Sequence, residues 1–169
     1  MPLRLKAFLL HLGLSGIIAL LAMWVVFKLW YPAPLHTAVG VTHIFLLLLL
    51  VDVILGPLLT LLVYKEGKKT LVFDLSVIAA LQLSALGYGL WAVAEGRPAW
   101  LVFNTDRFDL VRVLDIDARK LDQIHPEFRQ PSWLGPRWVA AAPPSEGGER
   151  NRLLFESVQG GSDVPQRPD

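Results

Sequence analysis

The polar side chains that could do chemistry in this sequence lie inside long apolar stretches. Asp52 occurs in the segment VDVILGPLLT, four residues before a glycine and five before a proline. A charged carboxyl group in hydrocarbon costs about 3 kcal/mol on insertion scales, so such a group normally faces a helix bundle or a partner. Asp52 therefore indicates one of three things: a structural contact between helices, a groove for a partner, or a carrier of protons or ions.

One helical face combines Asp52 with small and polar residues. Asp52, Gly56 and Thr60 recur every four residues and share one side of a helix. Pro57 has no backbone N–H, so it removes the hydrogen bond to the carbonyl group of Val53. We expect this face to offer a carboxyl group, close backbone approach and an exposed carbonyl oxygen.

A second face of this kind follows in the next apolar stretch. Its members are Asp74, Ile78, Gln82, Ala85 and Gly89. The two stretches are antiparallel, and positions 52 and 82 lie equally far from the loop that joins them. Gln82 is therefore expected to donate a hydrogen bond to Asp52, and the small residues are expected to allow tight helix contacts. A further stripe in the first stretch consists of His11, Ser15, Ile18 and Ala22.

Signatures of catalysis and of cofactor binding are absent from the sequence. It contains no cysteine, no glycine-rich phosphate loop and no HExxH motif. Its four histidines are scattered, and neither Ser76 nor Ser84 has a histidine in the same span to act as a base. These observations predict a protein that is not an enzyme and has no cofactor and no metal site.

The chain divides into an apolar part and a charged part. Of its 169 residues 53% are hydrophobic and 18% are charged, and the mean hydropathy is +0.45. Three stretches are long enough to cross a membrane as helices, at about residues 7–27, 38–64 and 71–94. Residues 1–94 form this transmembrane region, and residues 95–169 are expected to form a small α+β domain with an extended tail. The net charge of +1 indicates no nucleic-acid partner.

The basic residues of the short loops predict an orientation. Arg4 and Lys6 precede the first span, and the KEGKK loop at residues 65–69 contains three lysines, whereas the other loop has only Lys28. The positive-inside rule places the N-terminus and the KEGKK loop in the cytoplasm, and so residues 95–169 in the periplasm of a bacterium. An aromatic belt is expected at that outer interface, formed by Trp24, Trp30, Tyr31, Tyr88, Trp91 and Trp100.

The charged part contains signals for short strands and helices. Strands are predicted near residues 99–105 and 137–142, and a further extended segment over RFDLVRVLDI, residues 107–116. A short helix is expected to end near His125, just before Pro126. A second helix is predicted near residues 149–159, and Gly160 and Gly161 supply its stop signal.

Several segments, taken in order, resemble one known family. They are DVILGPLLTLLVYKEGKKTLVFDLS, the following LQLSALGYGLW, ERNRLLFESVQGGSD and the terminal RPD. Together they resemble the bacterial type IV pilin accessory proteins, which are also described as pilin-specific assembly chaperones. The matching positions are Asp52, Gly56, Pro57, Lys68, Lys69, Phe73, Asp74, Gln82, Gly160, Gly161 and Asp163.

The resemblance implies a non-enzymatic chaperone of the inner membrane that binds and stabilises a specific type IV pilin before or during pilus assembly. Its partners would be the membrane and the transmembrane helix of the major pilin, with or without the pilin head domain. The free amino terminus of such a pilin lies near the cytoplasmic face, so Asp74 is the better candidate to bind it. The residues also leave open a small subunit of a transporter or ion-coupled complex that uses Asp52. The candidate partner-binding residues are Asp52, Gly56, Pro57, Thr60, Asp74, Gln82, Ala85 and Gly89.

Overall fold

The computed structural model describes residues 2–117, 119, 124–142, 144 and 146–167. By its internal contacts the chain separates into two compact units. The first, the helical unit, comprises Met1–Lys28 and Pro32–Ala94, and the second, the C-terminal domain, comprises Leu29–Tyr31 and Glu95–Asp169. Three long apolar helices precede a small mixed sheet. The predicted fold class, three transmembrane helices followed by a small α+β domain, is confirmed.

The helical unit is built from three long helices and one short one. Helix α1 covers Leu3–Trp24 and continues as a π-helical segment over Val25–Trp30. Helix α2 is the short Leu35–Ala38, α3 covers Val41–Val63, and α4 covers Leu71–Glu95. The helices Leu3–Trp30, Val41–Val63 and Leu71–Glu95 are each long and apolar enough to cross a membrane.

Helices α1 and α3 pack together along small and aromatic side chains. Ser15, Ala19 and Ala22 of α1 are buried, and small residues of this kind let helix backbones approach closely. Phe45 of α3 is fully buried, and its ring centroid lies 5.7 Å from that of Phe27. Many of the large apolar side chains of α1, α3 and α4 remain exposed, as lipid-facing side chains are.

The C-terminal domain is organised around a three-stranded sheet with the order β2-β1-β3. Strand β1, Pro98–Asn104, pairs antiparallel with β2, Arg107–Arg112. It pairs in parallel with β3, Arg137–Ala140. The strands predicted near residues 99–105 and 137–142 are confirmed. The extended segment predicted over residues 107–116 is confirmed only as far as Arg112, because Val113–Asp115 forms a 3₁₀ turn.

One face of this sheet carries the hydrophobic core of the domain. Trp100, Val102 and Val111 are buried there, and Phe128 packs against them. Trp100 was expected in an aromatic belt, and that expectation is wrong because β1 begins only three residues after α4 ends and places this ring in the core. Tyr31 is likewise only 1% exposed.

The helix predicted near residues 149–159 is confirmed as α5, Gly147–Val158. Gly160 follows with φ +85°, a left-handed conformation that suits glycine and ends the helix. The helix expected to end near His125 falls largely on residues 118 and 120–123, which lie outside the described residues. Beyond His125 the chain forms a 3₁₀ turn over Pro126–Phe128.

The QGGSD segment after α5 closes the C-terminal domain. Gly161 passes close to Glu156, where an added Cβ would lie 2.9 Å from the carbonyl oxygen. Asp163 accepts a hydrogen bond of 2.8 Å from the next backbone N–H. The Glu156 carboxylate binds Arg119 and Arg167, each at 2.7 Å. The ion pair with Glu156 therefore holds Arg167, the last described residue, against α5.

Candidate functional site

A single glutamine joins α4 to α3. Nε2 of Gln82 donates a hydrogen bond of 2.9 Å to the backbone carbonyl oxygen of Asp52. The predicted pairing of these two residues is confirmed, and the acceptor of this bond is the main-chain carbonyl oxygen of Asp52. Because no water is available in hydrocarbon, such a bond holds a polar side chain firmly in place.

Gly56 makes room for the Gln82 amide. A Cβ added at Gly56 would overlap three atoms of that amide group. The buried Oε1 of Gln82 has no hydrogen-bond partner among the described residues. It lies at the position that a Cβ of residue 56 would occupy. Close backbone approach at Gly56 was predicted. The missing side chain at this position allows the Gln82 amide to lie directly beside the α3 backbone.

Gly89 supplies a second close contact between α4 and α3. A Cβ added there would overlap the side chain of Leu48. Ala85, one turn earlier on α4, is exposed and faces the space between the two helices. Of these two small residues, Gly89 therefore packs tightly against Leu48 of α3, whereas Ala85 lines the open space between the two helices.

The two helices enclose an apolar groove with a volume of about 500 Å³. Its polar side chains, among the described residues that line it, are Asp52 and Gln82. Leu47 and Leu81 are 62% and 66% exposed, so the groove is open along its side. A volume of this size can hold several side chains of a partner. The walls include Leu47, Val51 and Leu55 from α3 and Ile78, Leu81 and Ala85 from α4.

Thr60 faces α1 and does not face the groove. Its Oγ1 lies 2.6 Å from Nδ1 of His11, and Thr60 is only 2% exposed. Pro57 is also buried, and α3 continues through it without interruption. The predicted stripe is thus divided: Asp52 and Gly56 line the groove, whereas Thr60 helps to join α1 to α3.

Asp74 is bound by neighbouring residues at the start of α4. Nζ of Lys68 lies 2.7 Å from its carboxylate, and Oγ1 of Thr70 donates to it at 3.0 Å. An acidic residue in the first turn of a helix also interacts favourably with the helix dipole. Asp74 is not among the described residues that line the groove.

The sequence did not reveal that Leu29–Tyr31 belongs to the C-terminal domain. The Tyr31 side chain is buried there, and burial raises the pKa of its hydroxyl to about 12, although Arg112 and Arg97 act in the opposite direction. Trp30 contacts Trp133, with ring centroids 5.9 Å apart. The available signal was the aromatic WY pair at the end of the first span, which was interpreted as part of a lipid-facing belt.

These features define a class of protein: a small integral membrane protein with three spanning helices, a groove between two of them and a small α+β domain. Among the described residues, no group of three His, Asp or Glu side chains is arranged to hold a metal ion.

Comparison with known proteins identifies the family. The fimbrial assembly protein FimB family matches residues 1–40. The fimbrial assembly proteins of serogroups E1 and I from Dichelobacter nodosus are each 34% identical over 161 residues, which cover 94% of this chain and 62% of theirs. The fimbrial assembly protein of serogroups C1 and C2 from the same organism is 34% identical over 116 residues, 68% of this chain and 88% of its own length.

The chain belongs to the fimbrial assembly protein family. The resemblance to type IV pilin accessory proteins, noted from the motifs around Asp52 and Gly161, is confirmed at the level of the family. The match spans less than two thirds of the length of the first two relatives. No solved structure matches the chain.

Proposed function

We propose that this protein acts in fimbrial assembly by binding the membrane helix of a type IV pilin subunit in the groove between α3 and α4. It stabilises the subunit before or during polymerisation and catalyses no reaction. The observation that carries this proposal is the groove itself, which is apolar, open at its side and supplied with two polar groups. The names of the relatives support a role in fimbrial assembly.

The composition of the groove suits a helical partner. Lipid tails are as apolar as leucine, so helices in a membrane associate through close packing and interhelical hydrogen bonds. The aliphatic walls offer a surface for packing, and the Asp52 carboxyl group offers a polar contact for a hydroxyl or amide group of the pilin. Such interhelical hydrogen bonds contribute about 0.6–2 kcal/mol each.

The orientation proposed from the basic loops places the protein in the inner membrane with its N-terminus in the cytoplasm and its C-terminal domain in the periplasm. A pilin that awaits assembly has one apolar helix and a soluble head on the outer side. A partner with both a groove and a domain on that side can contact both parts of the subunit.

Filling the groove tests this function. Leu81 lines it and is 66% exposed, whereas Val72 on the same helix is 78% exposed and is not among the residues that line it. We expect Leu81→Trp to reduce co-purification of the pilin in detergent several-fold and Val72→Trp to leave it unchanged. Equal co-purification with both variants would show that the pilin does not bind in the groove.

A further inference from the structure

A loop of the C-terminal domain exposes two large apolar side chains at its tip. This anchor loop, residues 131–136 with the sequence PSWLGP, is bounded by a proline at each end. Leu134 is 80% exposed and Trp133 is 58% exposed. Large apolar side chains exposed side by side mark sites of interaction with a membrane or a protein.

The anchor loop contacts the residues that end the first membrane helix. Trp30 is the last residue of the helix Leu3–Trp30, which is able to span a membrane, and its ring centroid lies 5.9 Å from that of Trp133. Gly135 has φ +121°, and an added Cβ there would lie 2.9 Å from the carbonyl oxygen of Leu29. These contacts hold the loop against Leu29 and Trp30, which are the last residues of a helix long and apolar enough to span a membrane.

The same loop is held by a residue that follows the third membrane helix. That helix ends at Glu95, and the buried guanidinium group of Arg97, two residues later, lies 3.9 Å from the centroid of the Trp133 ring. Nε of Arg97 donates to the carbonyl oxygen of Ser132 at 3.4 Å. Oγ of Ser132 in turn accepts a bond of 3.0 Å from the N–H of Leu134. The loop is therefore held by residues that directly adjoin two candidate spans in the chain, and its apolar tip remains exposed.

We propose that the anchor loop inserts into the interfacial layer of the bilayer on the side where the C-terminal domain lies. Trp133 takes the headgroup level, where amphipathic indole rings are enriched, and Leu134 reaches the boundary of the acyl chains. The stacked Arg97 keeps the Trp133 ring in this position, because a cation over an indole face is attracted to it. The loop thereby fixes the domain at the membrane surface. This proposal does not depend on which client the groove binds.

A cysteine-free chain permits a direct test by site-directed labelling. We would place a nitroxide at Leu134→Cys or at Val158→Cys in the full chain, in nanodiscs of phosphatidylethanolamine and phosphatidylglycerol. Leu134 and Val158 are 80% and 84% exposed, so in the protein alone both labels are equally accessible. We expect the nitroxide at position 134 to collide with oxygen, which is enriched in the bilayer, several-fold more often than with a water-soluble nickel chelate. The nitroxide at position 158 should show the opposite preference. Equal preference for the nickel chelate at both sites would overturn the proposal.

A second measurement uses the native side chain and guards against a disturbed cysteine variant. Brominated lipids quench tryptophan fluorescence at short range, and we expect the quenched fraction to fall in Trp133→Phe relative to the unmodified chain. Protection of position 134 that arises only when a pilin is added would overturn the proposal by assigning the loop to a protein partner. Spin–spin broadening that rises with the protein-to-lipid ratio would overturn it by assigning the loop to a second copy of the chain.

Discussion

The amide group of Gln82 lies across the backbone of α3 at Gly56, in a space that any side chain at Gly56 would occupy. In that position Nε2 of Gln82 reaches the carbonyl oxygen of Asp52 at 2.9 Å. One glycine and one glutamine, on two different helices, thus meet in the lining of the groove. The distance between α3 and α4 at this level depends on both residues.

The first prediction concerns this fit. Gly56→Ala forces the Gln82 amide away from α3. We therefore expect the free energy of unfolding to fall by about 1–3 kcal/mol, as it does for overpacked cores. Gly87→Ala on α4 is the matched control, because nothing lies within 4 Å of the Cβ it would add. It should be neutral or slightly stabilising, since alanine is the better helix former. Denaturation in detergent, followed by circular dichroism, measures both effects. Equal stability of the two variants would contradict the close approach.

The second prediction separates the roles that were considered for Asp52. In Asp52→Leu the hydrogen bond from Gln82 to the main chain can persist, so the change removes only the carboxyl group from the groove. We expect Asp52→Asn to support pilin capture and assembly and Asp52→Leu to reduce capture, because asparagine keeps a polar group in the groove. Pilin co-purification and surface piliation measure the two effects. If both variants abolish assembly while the pilin remains bound, Asp52 carries protons or ions.

The third prediction concerns Asp74 and the amino terminus of a pilin. Lys68 binds Asp74 at 2.7 Å, so an incoming ammonium group must replace this lysine. If Asp74 receives the client, Lys68→Gln should strengthen pilin capture and Asp74→Asn should weaken it more than Asp52→Asn does. Titration of a detergent-solubilised pilin against each variant measures the change. Unchanged affinity in both variants would show that Asp74 serves only its own chain.

The fourth prediction concerns topology. A reporter active only in the periplasm should be active when fused after Ala142 and inactive when inserted at residues 65–69, because the short loops at the N-terminus and at residues 65–69 carry most of the basic residues of the helical part. Comparing the activity of the two fusions, at matched expression, is the measurement. The reverse pattern would place the C-terminal domain in the cytoplasm, out of reach of a pilin head.

The fifth prediction concerns acid stability of the C-terminal domain. The guanidinium groups of Arg119 and Arg112 hold the pKa values of Asp117 and Asp115, respectively, below their usual range. Because these carboxyl groups have lower pKa values in the folded chain than in the unfolded chain, near 3.9, their stabilisation is present above about pH 4 and is lost as the pH falls through the folded values.

We therefore expect hydrogen exchange in strands β1–β3 of the full chain to accelerate as the pH falls from about 5 to 2, beyond the intrinsic chemical effect. Asp117→Asn should exchange faster at neutral pH and show a smaller additional change in acid. Asp106→Asn, at the exposed turn between β1 and β2, is the control. An acid response of Asp117→Asn as large as that of the unmodified chain would contradict the role of the Arg119 pair.

Local patterns determined the elements of this protein. Twenty or more apolar residues in a row have few alternatives to a membrane helix, because a backbone in lipid must satisfy its own hydrogen bonds. The alternation in residues 99–105 and the stop signal at Gly160 similarly reflect rules that act within a few residues. The depth of Gln82 relative to Asp52 followed from counting residues along two antiparallel helices of fixed rise.

Only the tertiary structure decided which neighbours these residues meet. Helical periodicity predicted that Thr60 and Asp52 share one face of α3. In the structure Thr60 contacts His11 of α1, whereas Asp52 lines the groove between α3 and α4. Tyr31 and Trp100 are of the residue types that form aromatic belts in membrane proteins, yet both are buried in the C-terminal domain. Their burial could not be predicted locally, because it depends on residues that are distant in sequence. A sequence specifies faces and lengths through local physics, whereas the partner of each face is selected by the packing of the whole chain.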